Sequence, residues 1–358
     1  MGARQQDSSA AAQDGSVTRR ARLKHLAQLM YSWIWFFEPH ESARISFVGI
    51  TSGALARDLI DAIVADGLPF AILHRRDDLQ QGKVGSDVDL VIAAPTRIFI
   101  SGMKDPLTRL GLVPILVWTY DSGGSSVFLA SATAADGIQL DLLYDPRGLG
   151  RYGIRSEELL EERFLVDGWP SLNRRAEIVY LLRKRLVKEN KQAALALRRD
   201  FLAEGVEEMK AIVERVLTPD AAASVNDYVA GHRQTGRWPR SLLRRTAPEL
   251  RRIWKRLVNP IGAWIHVAGS HEREVSDVVG RLRRFIPHTG RGTPMGSLWY
   301  WRECAPVRWR AGVFVTWGFL DQAKKPDLVI TNIESGDDIA RSIVNFLAER
   351  ISIGHGLD

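Results

Sequence analysis

Hydrophobic positions along this chain recur with two periods. Leu55, Leu59, Ile60 and Ile63 are spaced like one face of a helix, and the run stops at Gly67. Thr51 or Ser52 can cap its start. Ile45 to Ile50, Phe70 to His74, Val113 to Tyr120, Ser126 to Ala130 and Ile138 to Tyr144 are short apolar runs that predict strands. Arg75 to Val84 predicts a polar loop, and Asp121-Ser122-Gly123-Gly124 a turn. Asp105 and Pro106 predict the start of a short helix ending at Gly111.

After Pro170 the helical period takes over. Ile178, Leu181, Leu182 and Leu186 mark one helix; Phe201, Leu202, Val206, Met209, Val213 and Val216 mark another. From Pro260 strands return at Ala263 to Ala268, Val313 to Val315 and Asp327 to Ile330. A turn at Gly269 to Arg273 leads into a helix, and Ile339 to Ile351 predicts the closing helix. The pattern as a whole predicts an α/β (α+β) chain. Residues 45–168 form a mixed sheet with flanking helices, 169–259 a helical basic segment, and 260–358 a smaller α/β domain. Residues 1–44 predict a disordered tail and a basic amphipathic helix with Leu23, Leu26, Met30, Trp33 and Phe37 on one face. That helix is expected to dock on the body of the protein; the alternative is an oligomer contact or peripheral contact with a membrane surface.

Composition narrows the partners. With 358 residues and 45% hydrophobic content the chain can bury two or three cores. The formal charge of +7 favours anionic partners such as nucleotides, nucleic acid or a membrane surface. Between Arg237 and Arg256 lie seven Arg, one Lys and one acid, Glu249, a solvated helix surface or linker, or else a stretch that binds phosphate or nucleic acid. The single cysteine, Cys304, rules out an intramolecular disulfide and argues against a Cys-based zinc site, so a reducing cytoplasm is expected. No apolar run reaches the roughly 18 to 20 residues that span a bilayer, and no cleavable signal peptide is visible.

The candidate chemistry lies in Gly85-Ser86-Asp87-Val88-Asp89-Leu90-Val91-Ile92. In a strand, Asp87 and Asp89 project from the same face. Two such carboxylates repel each other unless water or a cation lies between them, and oxygen-only ligands suit Mg²⁺ or Mn²⁺. Asp141 is a third acid in a mostly apolar strand, where it needs a polar or metal partner. Three carboxylates on two strands can hold ions for in-line displacement at phosphorus. Gly85 lets backbone approach a phosphate and the Ser86 hydroxyl can donate to one. Arg75 and Lys83, in the preceding loop, are the other nucleotide-binding candidates.

The Gly85 to Leu90 stretch, followed about fifty residues later by Leu140-Asp141-Leu142, resembles the nucleotidyltransferase superfamily that includes DNA polymerase beta. The longer run from Ile72-Leu73-His74-Arg75 to Asp145 and Arg147-Gly148 is similar to bacterial nucleotidyltransferase-like proteins fused to a thymidylate-kinase-like domain, often associated with surface-polysaccharide biosynthesis. Tyr180 to Lys188 resembles that family's helical linker. The resemblance implies a metal-dependent enzyme that uses an NTP and an unspecified acceptor, with Asp87, Asp89 and Asp141 as metal-binding and catalytic acids. Its alternative is a catalytically inactive nucleotide-binding scaffold or regulator. Nucleic acid is not an expected partner, since no duplex-binding motif is present. The chain departs from the pattern at two places. Leu73-His74-Arg75-Arg76 stands where the superfamily carries a Gly-Ser pair. Counting from Gly269, Glu274 and Val275 stand where a phosphate loop needs Gly and Lys, so a degenerate P-loop-like C-terminal domain is expected.

Overall fold

The computed structural model describes residues 53–83, 87–121, 123–232, 261–286, 288–292, 304–309, 312–318, 325–331 and 333–352. The expected N-terminal helix, the strand at Ile45 to Ile50, the cap at Thr51 or Ser52, Gly85, Ser86 and the arginine run lie outside them. The chain is mixed α/β, with a seven-stranded mixed sheet and a separate four-stranded parallel sheet.

The first part runs α1 (Gly53–Ala65), β1 (Phe70–Ile72), α2 (Arg76–Gln80), β2 (Asp87–Ile92), α3 (Thr96–Gly102), α4 (Lys104–Arg109), β3 (Leu112–Asp121), β4 (Gly124–Ser131) and β5 (Gly137–Leu143). It continues through α5 (Ser156–Glu161) to a hairpin of β6 (Arg163–Val166) and β7 (Trp169–Leu172). The strand order is β3-β4-β5-β2-β1-β7-β6. This hairpin was not legible in the pattern; its outer strand is largely exposed and lacks a buried stripe. The sheet thus extends past residue 168, because β7 pairs in parallel with β1. The expected loop after His74 holds the short helix α2, which buries Leu79.

Four helices follow: α6 (Arg174–Val187), α7 (Lys191–Ala203), α8 (Val206–Val216) and α9 (Pro219–Val229). The helix expected from Phe201 to Val216 is two helices, broken at Gly205, whose φ of 95° suits glycine and interrupts the helical backbone. Asn173 caps α6 by accepting from the Ala176 amide.

The C-terminal sheet is β8 (Ala263–Ala268), β9 (Gly290–Gly292), β10 (Val313–Gly318) and β11 (Leu328–Ile330), in the order β11-β8-β10-β9. Its helices are α10 (Glu272–Arg283), α11 (Ala305–Trp309) and α12 (Gly336–Ser352). This region buries a small cluster of its own, Trp264, Cys304 and Phe314, but shares its larger core. Val275, Phe285, Ile343 and Leu347 pack in one cluster with Ile115, Leu116 and Phe128 of the larger sheet. Gly137 makes room for that packing: a Cβ there would meet the Phe285 ring at 2.4 Å.

Strand alternation positions the acids. Val88, Leu90 and Ile92 face one apolar cluster with Leu140, Leu142 and residues of α1. Each buried side chain of this size contributes about 1.5–3 kcal/mol. The opposite face carries Val91 and Leu143 in a cluster with α6 to α9, and Phe128 and Ala130 in the cluster shared with the C-terminal sheet. Asp87, Asp89, Gln139, Asp141 and Ser126 occupy that second face by alternation, a polar strip between two apolar clusters.

Candidate metal centre

β2 and β5 are parallel neighbours, and their register sets Asp89 opposite Asp141 and Asp87 opposite Gln139. Side chains at paired positions share a face and lie close together. Asp87, Asp89 and Asp141 each present an oxygen within 4.8 Å of the others. The three acids expected to act together therefore do meet.

Asp89 is 7% exposed, so the protein must satisfy it. Lys184 Nζ on α6 lies 2.7 Å from Asp89 Oδ1, and the Tyr180 hydroxyl reaches the same oxygen at 3.4 Å. His74 Nε2 lies 2.8 Å from Asp89 Oδ2, a short contact that is not aligned as a hydrogen bond. Burial pushes the Asp89 carboxyl up, but His74 and Lys184 together overcome it and hold the group well below the usual carboxylate range. Asp89 is thus ionised at neutral pH, with a cationic lysine on one side.

Asp141 meets different neighbours. The Ser126 hydroxyl donates to Asp141 Oδ1 at 2.6 Å and Gln139 Nε2 donates to the same oxygen at 2.9 Å. Burial and then the Asp89 charge push its pKa up to about 6, against the lowering effect of those two donors. Burial and the neighbouring carboxylates both disfavour the ionised form, and a bound cation would offset both. The donor set, three carboxylates without a thiolate, fits Mg²⁺ or Mn²⁺.

The other expected residues are less central. Arg75 is exposed, immediately after His74, with φ 58°, a left-handed conformation that glycine adopts without strain. Lys83 is exposed and donates to Gln81 Oε1 at 2.9 Å. Asp145 accepts from the Leu149 and Gly150 amides. His266 contacts Thr316 Oγ1 at 3.0 Å and the Gly318 carbonyl at 3.1 Å.

His74, Tyr180, Lys184, Ser126 and Gln139 were not singled out from the sequence as site residues. Tyr180 and Lys184 did carry a signal. They are four apart, on one face of a helix, and Lys184 is buried near the Tyr180 ring, its Nζ 5.4 Å from the ring centre. A buried lysine demands an anionic partner. Among the described residues no helix is long and apolar enough to cross a membrane. Comparisons with protein-family models, with curated proteins and with solved structures found no match.

Proposed function

We propose that this chain is a metal-dependent nucleotidyltransferase, moving a nucleotidyl group from an NTP to a hydroxyl or phosphate of a small molecule, sugar or protein. The observation that carries the reading is the convergence of Asp87, Asp89 and Asp141 on adjacent parallel strands, with oxygens within 4.8 Å. Bound there, Mg²⁺ or Mn²⁺ would neutralise triphosphate charge and polarise the attacking oxygen. Asp87 and Asp89 would hold the ion against the triphosphate. Asp141, fixed by Ser126 and Gln139, would complete the ligands of the ion and help activate the attacking hydroxyl. Lys184 and His74 keep Asp89 ionised and oriented.

A helix, a strand, a short helix and a second strand opening with two acids, beside a parallel strand with a third, support a nucleotidyltransferase fold. In the C-terminal sheet the strands lie in the order second, third, first, fourth, and the first strand leads by a turn into a helix. That supports a kinase-like ancestry. Glu272 and Glu274 in the first turn of α10 oppose phosphate binding there.

One observation favours a second reading, an inactive nucleotide-binding scaffold or regulator linked to surface-polysaccharide biosynthesis. Both oxygens of Asp89 already face basic side chains of the protein itself. Calorimetry with Mg²⁺ and each NTP, followed by a pyrophosphate-release assay, separates the two. The enzyme reading expects release that falls about 100-fold or more in Asp87→Asn. The scaffold reading expects nucleotide binding with no release.

A further inference from the structure

We propose that the C-terminal end of α6 is a phosphate-binding site, in which Lys188 and Arg151, beside Lys184, take a terminal phosphate group. The inference rests on the nucleotidyltransferase reading for its biological meaning and names a subsite of the same centre.

Tyr180, Lys184 and Lys188 are each four residues apart on α6 or its cap, so they share one helical face. That face begins at the acids, where Lys184 meets Asp89 at 2.7 Å, and runs outward to Lys188. The chain at Arg151 is tied to the same helix through its neighbour. The carbonyl of its neighbour Tyr152 accepts from Arg183 Nε at 2.6 Å, and the Arg151 guanidinium lies 4.6 Å from the centre of the Tyr152 ring. The backbone turn fixes Lys188. The Asn190 amide donates to the Arg185 carbonyl at 3.0 Å, and the Glu189 amide to the Leu186 carbonyl at 3.3 Å. This is the double closure of a Schellman cap, with Glu189 held at φ 54° where glycine is usual.

The cations at this end of the helix are unequally paired. Lys184 is already committed to Asp89. Lys188 and Arg185 have no ion-pair partner among the described residues. Packing, then the positive charges of Lys184 and Arg151, hold the Lys188 ammonium below its ordinary range, with the Asp89 charge acting the other way. A phosphate pairs with such cations through charge-assisted hydrogen bonds, with Arg able to bind two oxygens at once. The phosphate can belong to the triphosphate donor or to a phosphorylated acceptor.

Titration calorimetry with inorganic tripolyphosphate and with a hexose 1-phosphate, each in EDTA and in Mg²⁺, tests the site. Lys188→Ala and Arg151→Ala are each expected to weaken binding about tenfold. Both side chains are exposed, so folding should survive; Lys188→Gln and thermal melts guard against a variant that does not. Loss confined to tripolyphosphate assigns the site to the donor, and loss confined to the hexose phosphate assigns it to the acceptor; both support it. No loss for either ligand overturns the proposal, as does an equal loss in Lys104→Ala, an exposed lysine on α4. Binding that needs Lys188 but is indifferent to Mg²⁺ keeps the phosphate site and removes the nucleotidyltransferase reading.

Discussion

Asp89 in the larger sheet and His266 in the smaller one are both buried polar residues on inner strands, and their surroundings differ in kind. His266 belongs to a closed network. Trp264 Nε1 donates to Thr316 Oγ1 at 2.9 Å, and the imidazole lies between that hydroxyl and the Gly318 carbonyl. Burial holds the ring below its ordinary pKa, so it is neutral and every partner is supplied by the protein. Asp89 is also engaged on both oxygens, yet burial and then the Asp89 charge raise the Asp141 carboxyl beside it. One network is complete in itself; the other leaves negative charge that an external cation would balance. The same contrast separates the two strand–turn–helix regions. At the end of β8, Gly269 and Gly318 bridge the strand ends, and acids open the next helix. Topology offers a ligand crevice in both places, but side chains decide which can be used.

The sharpest way to break this comparison is to remove Lys184. Lys184→Met is expected to cost about 3–5 kcal/mol by urea unfolding, because it leaves the Asp89 charge buried without its partner. Mg²⁺ should raise the midpoint of this variant more than that of the unaltered protein. His266→Gln, which keeps one hydrogen bond of a neutral network, should cost only about 1–2 kcal/mol and show no Mg²⁺ response.

Next in size is the apolar junction. Phe285→Ala is expected to cost about 3–4 kcal/mol. Because Phe285 packs with strands of the larger sheet, tryptophan fluorescence and far-UV circular dichroism should report one coincident transition. Two separate transitions would show that the sheets do not depend on a shared core.

The pH dependence follows from Asp141. Its folded pKa of about 6 lies above the value of 3.8 for a free carboxyl, so the native state holds more protons between them. Its contribution to stability is therefore present below about pH 4 and is lost as pH rises to about 6. Cation binding needs the ionised group and has the opposite sign, strengthening from about pH 5 to about pH 7. Thermal melts with and without Mg²⁺ across that range should diverge as pH rises.

Smaller effects lie further out. Glu189→Gly should stabilise the protein by about 1 kcal/mol, since a left-handed residue other than glycine is strained. Glu274→Gln on α10 should change nucleotide affinity by less than about twofold, in contrast to Asp87→Asn.

Much of this arrangement was legible in the residues. The period-two run through Asp87 and Asp89 placed both acids on one face, and Asp141 stood out as a charge inside an apolar strand. Local pattern also recovered β8, α10 and α12. It could not supply register, so nothing in the sequence set Asp89 opposite Asp141 rather than Asp87. Nor could it reveal that a lysine about a hundred residues later in the chain would reach the same oxygen, since that contact depends on how α6 packs on the sheet. The hairpin β6–β7 was missed because Phe164 and Leu165 are exposed and give no alternation. The break at Gly205 was missed because the apolar spacing continues across it.

The central claim is that Asp87, Asp89 and Asp141 hold a divalent cation. Mn²⁺ titration followed by electron paramagnetic resonance, in the presence of ATP, tests it most directly. The account predicts saturable Mn²⁺ binding that is lost, or weakened about 10- to 100-fold, in Asp87→Asn and in Asp141→Asn. Mn²⁺ binding of unchanged affinity in both folded variants, or none in the unaltered protein, would contradict it.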